Sequence, residues 1–459
     1  MKKLIGDRAF YRRMFAVMLP ILMQNLITNF VNLLDNIMVG QVGTEQMSGV
    51  AIVNQLVFIF NLCIFGGISG AGILAAQFHG KGDHEGVRNS FRIKLYISAV
   101  AVLVFGGIFI CFGPELISLF LHEGEEGLDL AATLDYAMDY MKVILLQMLP
   151  FALLQVYAGT LRETGEAVLP MKAGIVAVLV NLVFNYILIF GKFGFPAMGV
   201  IGAAIATVMA RVVELLIVAI WTHRNKHLHR FIEGVYSSPR VPLSLAKQTV
   251  LLGLPLLVNE LLWSSGMTML NQCYSVRGLE VVSACNISTT VSNLFFCAFF
   301  AMGTTVSIVV GQLLGAGELE RAVDEDRKLI AFSAALCVCT GALMALLAPM
   351  IPNIYNTTPV VKSIASRMLV VSAVMMPVMA VTNTSYFTLR SGGKTILAFV
   401  FDSVFVWIVA VPVAFVLSRF TSLPILPMFI VVQSLELIKM VLGIWFVRSR
   451  RWVENLVSK

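Results

Sequence analysis

Charge is what this chain has least of. Only 13% of its 459 residues are Asp, Glu, Lys or Arg, against about 25% in a soluble globular domain. Apolar residues make up 58%. A surface that poor in charge excludes a water-soluble globular fold and points to a polytopic membrane protein. Histidine is sparse as well: there are six, and none lies inside an apolar run. With no His-Glu-x-x-His helix and no Gly-x-Ser-x-Gly elbow, an intramembrane enzyme has no support, and no cofactor is expected. The seven cysteines (Cys63, Cys111, Cys273, Cys285, Cys297, Cys337, Cys339) show no Cys-x-x-Cys or Cys/His ligand spacing. They read as small apolar packing residues, without disulfide or metal. The net charge is +7, but no basic patch lies on a soluble face, so nucleic acid is not an expected partner. The start, MKKLIGDRAFYRR, runs directly into an apolar stretch, and no cleaved signal peptide is expected.

What is present is a series of long apolar runs. They fall at about 14–39, 50–77, 94–120, 137–160, 168–190, 198–221, 248–274, 283–312, 329–350, 365–388, 396–417 and 426–447, each long enough to cross a bilayer as a helix. With the N-terminus placed inside, inside segments hold 25 Lys and Arg and outside segments hold 5, while Lys142, Arg211 and Lys439 fall within spans. That asymmetry places both termini in the cytoplasm, and the chain is expected in the cell (inner) membrane. The second outside loop is acidic (Glu123, Glu125, Glu126, Asp129) and reads as a solvated loop. The linker after the sixth run carries His223, His227 and His229 among cations, and reads as a hydrated basic segment beside the membrane rather than a metal site.

The two halves of the chain are related. A shift of 235 residues aligns positions 19–85 with 254–320 at 16 identities in 67 positions, without a gap. The match includes Leu19-Pro20 with Leu254-Pro255, and Gln77-x-x-Gly80-x-Gly82 with Gln312-x-x-Gly315-x-Gly317. A second pair, Thr160-Leu161-Arg162-x-x-Gly165 and Thr388-Leu389-Arg390-x-x-Gly393, aligns at a shift of 228. The expected fold is therefore an all-α polytopic membrane protein with twelve transmembrane helices in two six-helix lobes. The lobes are residues 1–222 and 248–459, joined by a cytoplasmic linker at 223–247. An even number of spans between equivalent points makes the repeats parallel, related by a pseudo-two-fold along the membrane normal, as in secondary transporters. Pro20, Pro150, Pro255, Pro377 and Pro412 recur inside spans and invite kinks.

Ionisable residues within apolar spans are costly and mark functional sites. Arg211 with Glu214, and Glu436 with Lys439, lie three apart and can neutralise each other on one helix face. Asp35, Glu260 and Asp402 have no such local partner. Asp35 lies near the outer end of the first run. Asn181 and Asn185, one turn apart in the fifth, and Thr207 in the sixth fall at similar depth. Together they form an all-oxygen set suited to a small hard cation, such as Na+, or to a proton on Asp35. Glu260, near mid-membrane with Trp263 one turn on, can hold an organic cation by charge and cation–π attraction. Asp402 lies in the inner half of the eleventh run, as a further candidate contact.

Pro20, the run Asp35-Asn36-Ile37-Met38-Val39-Gly40-x-x-Gly43, the loop Gly80-x-Gly82-Asp83, the segment Arg162-x-x-Gly165-x-x-x-x-Pro170 and the second-half Leu389-Arg390-x-x-Gly393 resemble the multidrug and toxic compound extrusion (MATE) family over nearly the whole chain. The resemblance implies a monomeric antiporter in the lipid bilayer. It would export cationic, lipophilic compounds against inward H+ or Na+. It assigns ion coupling to Asp35, Asn181 and Thr207, with Asn185 where the family usually has Asp. It also matches Glu260 to a second-lobe Na+ ligand, although Met379 stands where that site needs an Asp. Asp402 is one span too late to replace it. With Asp35 the only ionisable member of its cluster, H+ is favoured over Na+. The alternative is a flippase for lipid-linked saccharides, which would want a cationic cavity where the isolated charges here are acidic.

Overall fold

A computed structural model of the chain describes residues 4–120 and 129–458. Glu123, Glu125 and Glu126 lie outside the described residues, whereas Asp129 caps a helix by accepting from the backbone N–H of Ala131 and Ala132. The helices are α1 (Arg8–Gly40), α2 (Thr44–Lys81), α3 (His84–Ser118), α4 (Leu130–Ile144), α5 (Met148–Glu163), α6 (Val168–Phe190), α7 (Gly199–Arg224), α8 (Leu243–Ser275), α9 (Leu279–Gly315), α10 (Leu319–Leu347), α11 (Pro359–Ser391), α12 (Thr395–Phe399), α13 (Val411–Phe420) and α14 (Ile425–Arg448). Among the described residues they supply 12 segments long and apolar enough to cross a membrane. α4 and α5 join through a 3-10 turn into one span, and α12 and α13 join through two π-helical stretches into another. The all-helical, twelve-span architecture is as the sequence implies.

The helices run past the apolar runs at their polar ends. α2 covers Thr44–Lys81 where the apolar run covers 50–77, and α3 starts at His84 rather than at 94. Helical hydrogen bonds do not stop where hydrocarbon would, so the ends continue until a turn signal intervenes. Arg88 and Arg92 are therefore helical, and Lys94 is fully buried.

The turn signals are the repeat's glycines. Gly82 and Gly317 both have φ of +79°. Gly165 and Gly393 have φ of +90° and +76°. Each closes its helix with paired backbone bonds of the Schellman type. Gly82 N–H donates to His79 O at 3.0 Å and Asp83 N–H to Phe78 O at 2.9 Å. Gly317 N–H donates to Leu314 O at 3.1 Å and Glu318 N–H to Leu313 O at 3.0 Å. L-residues with a Cβ rarely adopt this conformation, so the aligned glycines mark four structurally equivalent helix ends.

The helices gather into two compact units. One comprises Met23–Ala75 and His84–Val250; the other comprises Met1–Leu22, Ala76–Asp83 and Leu251–Lys459. The last turns of α2 thus group with the C-terminal helices instead of following a cut at the linker. A backbone crossing accounts for this. A Cβ on Gly80 would lie 1.9 Å from Gln312 O, and one on Gly315 would lie 1.8 Å from Gln77 O. The aligned Gln-x-x-Gly motifs therefore pack reciprocally, each glycine against the other motif's glutamine backbone.

Gln77, fully buried, also anchors the C-terminal segment. Its Nε2 donates to Ser391 O at 2.9 Å and its Oε1 accepts from Leu456 N–H at 2.8 Å. Trp452 is fully buried in the same place. The segment after α7 is likewise folded rather than merely hydrated. Arg92 donates to the carbonyls of Val235 and Gly234, both at 2.8 Å, and Phe231, Ile232 and Val235 are buried. His229 is buried too, which pushes its imidazole below its usual range.

Gly80→Ala and Gly315→Ala should each cost roughly 1–3 kcal/mol, because the clashing atom is backbone and cannot turn aside. Thermal unfolding of the purified variants in detergent checks this, and an unchanged midpoint for both would contradict the crossing.

Candidate functional site

Three helices bring the first cluster together in one unit. Asn181 and Asn185 share a face of α6, and both are buried. Asn185 Nδ2 lies 2.6 Å from Asp35 Oδ1 on α1 and 3.1 Å from Asn181 Oδ1. Asn181 Nδ2 lies 3.3 Å from Thr207 Oγ1 on α7, and Thr207 itself donates to Ala203 O at 3.0 Å. Turned over, the Asn181 amide places its nitrogen 2.8 Å from Asp35 Oδ1. Asn185 Oδ1 is buried without a hydrogen-bond partner. The structure thus assembles all four residues that the sequence grouped by depth.

Two further residues join them. Tyr140 of α4, 4% exposed, donates to Asn54 Oδ1 at 3.1 Å. It lies within electrostatic reach of Asp35, as does Arg211 of α7. Nothing in the sequence singles out Tyr140. Arg211 reads as half of a self-neutralising pair, and its NH1 is indeed 2.8 Å from Glu214 Oε2. The side chains in direct contact here are one carboxylate, two amides and a hydroxyl, with the Arg211 guanidinium farther off and bound to Glu214, which suits a single monovalent charge. Among the described residues no group of three or more His, Cys, Asp or Glu side chains could hold a metal ion.

The second group lies in the other unit and extends the sequence reading. Among the described residues Asp402 has no partner at pairing distance on its own helix, and finds one on another. Its Oδ1 accepts from Lys439 Nζ of α14 at 2.6 Å, and its Oδ2 accepts from Asn259 Nδ2 of α8 at 3.1 Å. Lys439 keeps the pairing with Glu436 that the sequence spacing indicates, at the longer distance of 3.9 Å. Glu436 also accepts from Thr382 Oγ1 at 3.2 Å. Sequence spacing reveals pairs on one helix only, and here the nearer partner comes from another helix.

Asp402 lies in the π-helical stretch Val400–Val404, and a second such stretch, Val406–Ala410, leads to Pro412. Proline offers no N–H to the carbonyl four residues back, and its ring crowds that turn, so the helix widens before it. Asn259 is held by Ser403 Oγ, which donates to its Oδ1 at 2.7 Å, and its Nδ2 lies 3.1 Å from Tyr386 OH. Glu260, next in the chain, is within electrostatic reach of Arg390 and Asp402. Trp263 and Met379 pack against this unit's apolar core.

Buried charges recur elsewhere. Lys94 of α3, fully buried, forms an ion pair with Glu163 of α5 and donates to Thr160 Oγ1 at 3.0 Å. Asp326 of α10, also fully buried, meets Thr388 Oγ1 of α11 at 2.6 Å. The sequence reading missed Asp326, because it precedes the apolar run it belongs to.

The MatE family model matches residues 20–187 and 255–416, one stretch in each repeat. The chain is 25% identical to "Probable multidrug resistance protein NorM" of Thermotoga maritima, over 97% of its own length and 94% of that protein's. It is 25% identical to "Multidrug resistance protein MdtK" of Pectobacterium atrosepticum, over 89% and 87%. Among solved structures, an outward-facing multidrug resistance MATE family transporter of the MOP superfamily aligns with a TM-score of 0.84. It is 20% identical and covers 98% of this chain and 97% of that one. A mutant of the Vibrio cholerae MATE transporter VcmN aligns with a TM-score of 0.85 at 17% identity, covering 97% and 98%. These structural likenesses are likenesses of fold.

Lys439→Met should destabilise the protein by about 1–3 kcal/mol, since it strands the half-buried Asp402 carboxylate without its counter-ion. The double variant Lys439→Met/Asp402→Asn should recover most of that loss. Unfolding midpoints of both variants decide it: a double variant no more stable than the single one would contradict the pairing.

Proposed function

The chain belongs to the MatE family, and from that footing we propose that it is a proton-coupled antiporter of the cell membrane, both termini cytoplasmic, exporting small cationic, lipophilic compounds by alternating access. The relatives' names, which speak of multidrug resistance, support export of varied organic compounds.

The observation that carries the coupling is the Asp35 cluster. Its one ionisable member meets two asparagine amides and carries no ion pair among the described residues. The 2.6 Å separation between Asp35 and Asn185 is short for an N–H···O bond and ordinary for O–H···O. A proton on Asp35, with the Asn185 amide turned so that its oxygen faces the acid, satisfies both groups. The orphaned Asn185 acceptor then has a donor. Loss of that proton leaves a carboxylate in an apolar helix, a state that favours a different packing of α1 against α6. Proton and exported cation need not touch each other to compete. Each has only to prefer a different member of the same pair of conformations.

Glu260 supplies the negative charge that an organic cation would meet in the other unit. Asp402 is less available, because Lys439 already neutralises it. The same bookkeeping weighs against a flippase for lipid pyrophosphates. Lys94 and Lys439 are both committed to carboxylates, so neither is spare for phosphate.

Reconstituted into proteoliposomes, the protein should export a fluorescent organic cation under an imposed pH gradient and not under a Na+ gradient. Asp35→Asn should abolish that export while the protein still elutes as a folded species. Asn181→Ala should slow it roughly tenfold, the loss of one hydrogen bond to the acid. Export at the parental rate by Asp35→Asn, or export driven by Na+ alone, would overturn this assignment.

A further inference from the structure

Thr160 and Thr388 occupy the same place in the two repeats, and their hydrogen bonds can be counted. A hydroxyl has one proton to donate and lone pairs to accept with. Thr160 Oγ1 lies 2.8 Å from Val156 O, four residues back, and 3.0 Å from Lys94 Nζ. It donates to the carbonyl and accepts from the ammonium, so every proton has a place. Thr388 Oγ1 lies 3.0 Å from Thr384 O, again four residues back, and 2.6 Å from Asp326 Oδ1. Here a carboxylate stands where the first repeat has a cation donor. One hydroxyl proton cannot fully serve both the Thr384 carbonyl and an ionised Asp326.

If Asp326 carries a proton, the pattern of the first repeat returns: the acid donates to Thr388 Oγ1, and Thr388 donates to Thr384 O. The 2.6 Å separation suits O–H···O. Asp326 is fully buried, and its Oδ2 has no hydrogen-bond partner. An ionised carboxylate in that position would leave most of its acceptor sites empty inside an apolar unit, which is strongly unfavourable.

Among the described residues no cation forms an ion pair with Asp326. On α10 itself, Arg321 is bound to Glu318 and Glu325, and Lys328 to Asp324. Arg327, which acts on Asp326 electrostatically, has an exposed side chain. Arg13 of α1 is paired with Glu325. On α11, Arg390 lies over the rings of Tyr386 and Phe387, 5.4 and 4.9 Å from their centroids. The sequence of α9 contains one charged residue, Glu280, in its first turn and far along the helix from this level.

We propose that Asp326 is a second proton-binding site, set in the C-terminal repeat, which holds its proton in the conformation described and exchanges it during transport. Its place in transport rests on the export reading above; the protonated state itself does not.

Infrared spectroscopy of the full-length protein at neutral pH tests the state. The wild type should show a carboxylic-acid carbonyl band that is lost in Asp326→Asn, a substitution that keeps a donor facing Thr388. Thr388→Val, which leaves Asp326 in place, should move that band to higher frequency. If Asp326→Asn removes only carboxylate intensity, or if Thr388→Val shifts no acid band, the proposal is wrong. Transport tests the exchange: export by Asp326→Asn should lose part of its dependence on pH, and an unchanged pH profile would overturn that role. A protein that shows the acid band yet exports no organic cation would sink the export reading and leave the proton site standing.

Discussion

A charge placed in hydrocarbon must be met by an opposite charge or removed by a proton, because the interior cannot solvate it. Much of this molecule follows from that constraint. Lys94 meets Glu163, Arg211 meets Glu214, and Lys439 meets Asp402. Asp35 and Asp326 are different. Their hydrogen-bond partners are the neutral Asn185 and Thr388, and in the reading proposed above the second remedy falls to them. Paired charges fix helices in place. An acid that depends on a proton can change state without any other group leaving, and this is what a coupling site requires.

The repeat provides the frame on which these differences were laid. The glycine turns at Gly82 and Gly317, and at Gly165 and Gly393, share their backbone conformation. The Gly80 and Gly315 crossing is reciprocal. These features are set by backbone geometry and are the same in both halves. The buried charges are not. Asp35 aligns with Leu270. The threonine of the Leu-Arg motif takes an ammonium from Lys94 in one repeat and a carboxyl from Asp326 in the other. A duplicated scaffold with unduplicated charges gives two units the same fold and different chemistry.

The sequence made the scaffold legible because apolar runs, loop cations, and aligned Gly and Pro residues are local or periodic signals. It also allowed Asp35, Asn181, Asn185 and Thr207 to be grouped, since depth along a helix can be counted at 1.5 Å per residue. The C-terminal group was less legible. Asp402 and Lys439 come from different helices, and no spacing rule pairs them. The π-helical widening before Pro412 also alters the register between them. Asp326 was missed and Lys94 was counted with the inside-loop cations because hydropathy marks where hydrocarbon begins, not where a helix begins. The burial of Trp452 and the anchoring of the last residues at Gln77 had no sequence signal at all, being set by tertiary contact alone.

Competition between one proton and one organic cation, with Asp35 holding the proton, is the centre of this account. It is most directly tested by following the pH of a weakly buffered solution of the purified protein as tetraphenylphosphonium is added. Binding should release protons, and the release should fall sharply in Asp35→Asn even where the cation still binds. Binding of tetraphenylphosphonium by the wild type with no proton release would contradict it.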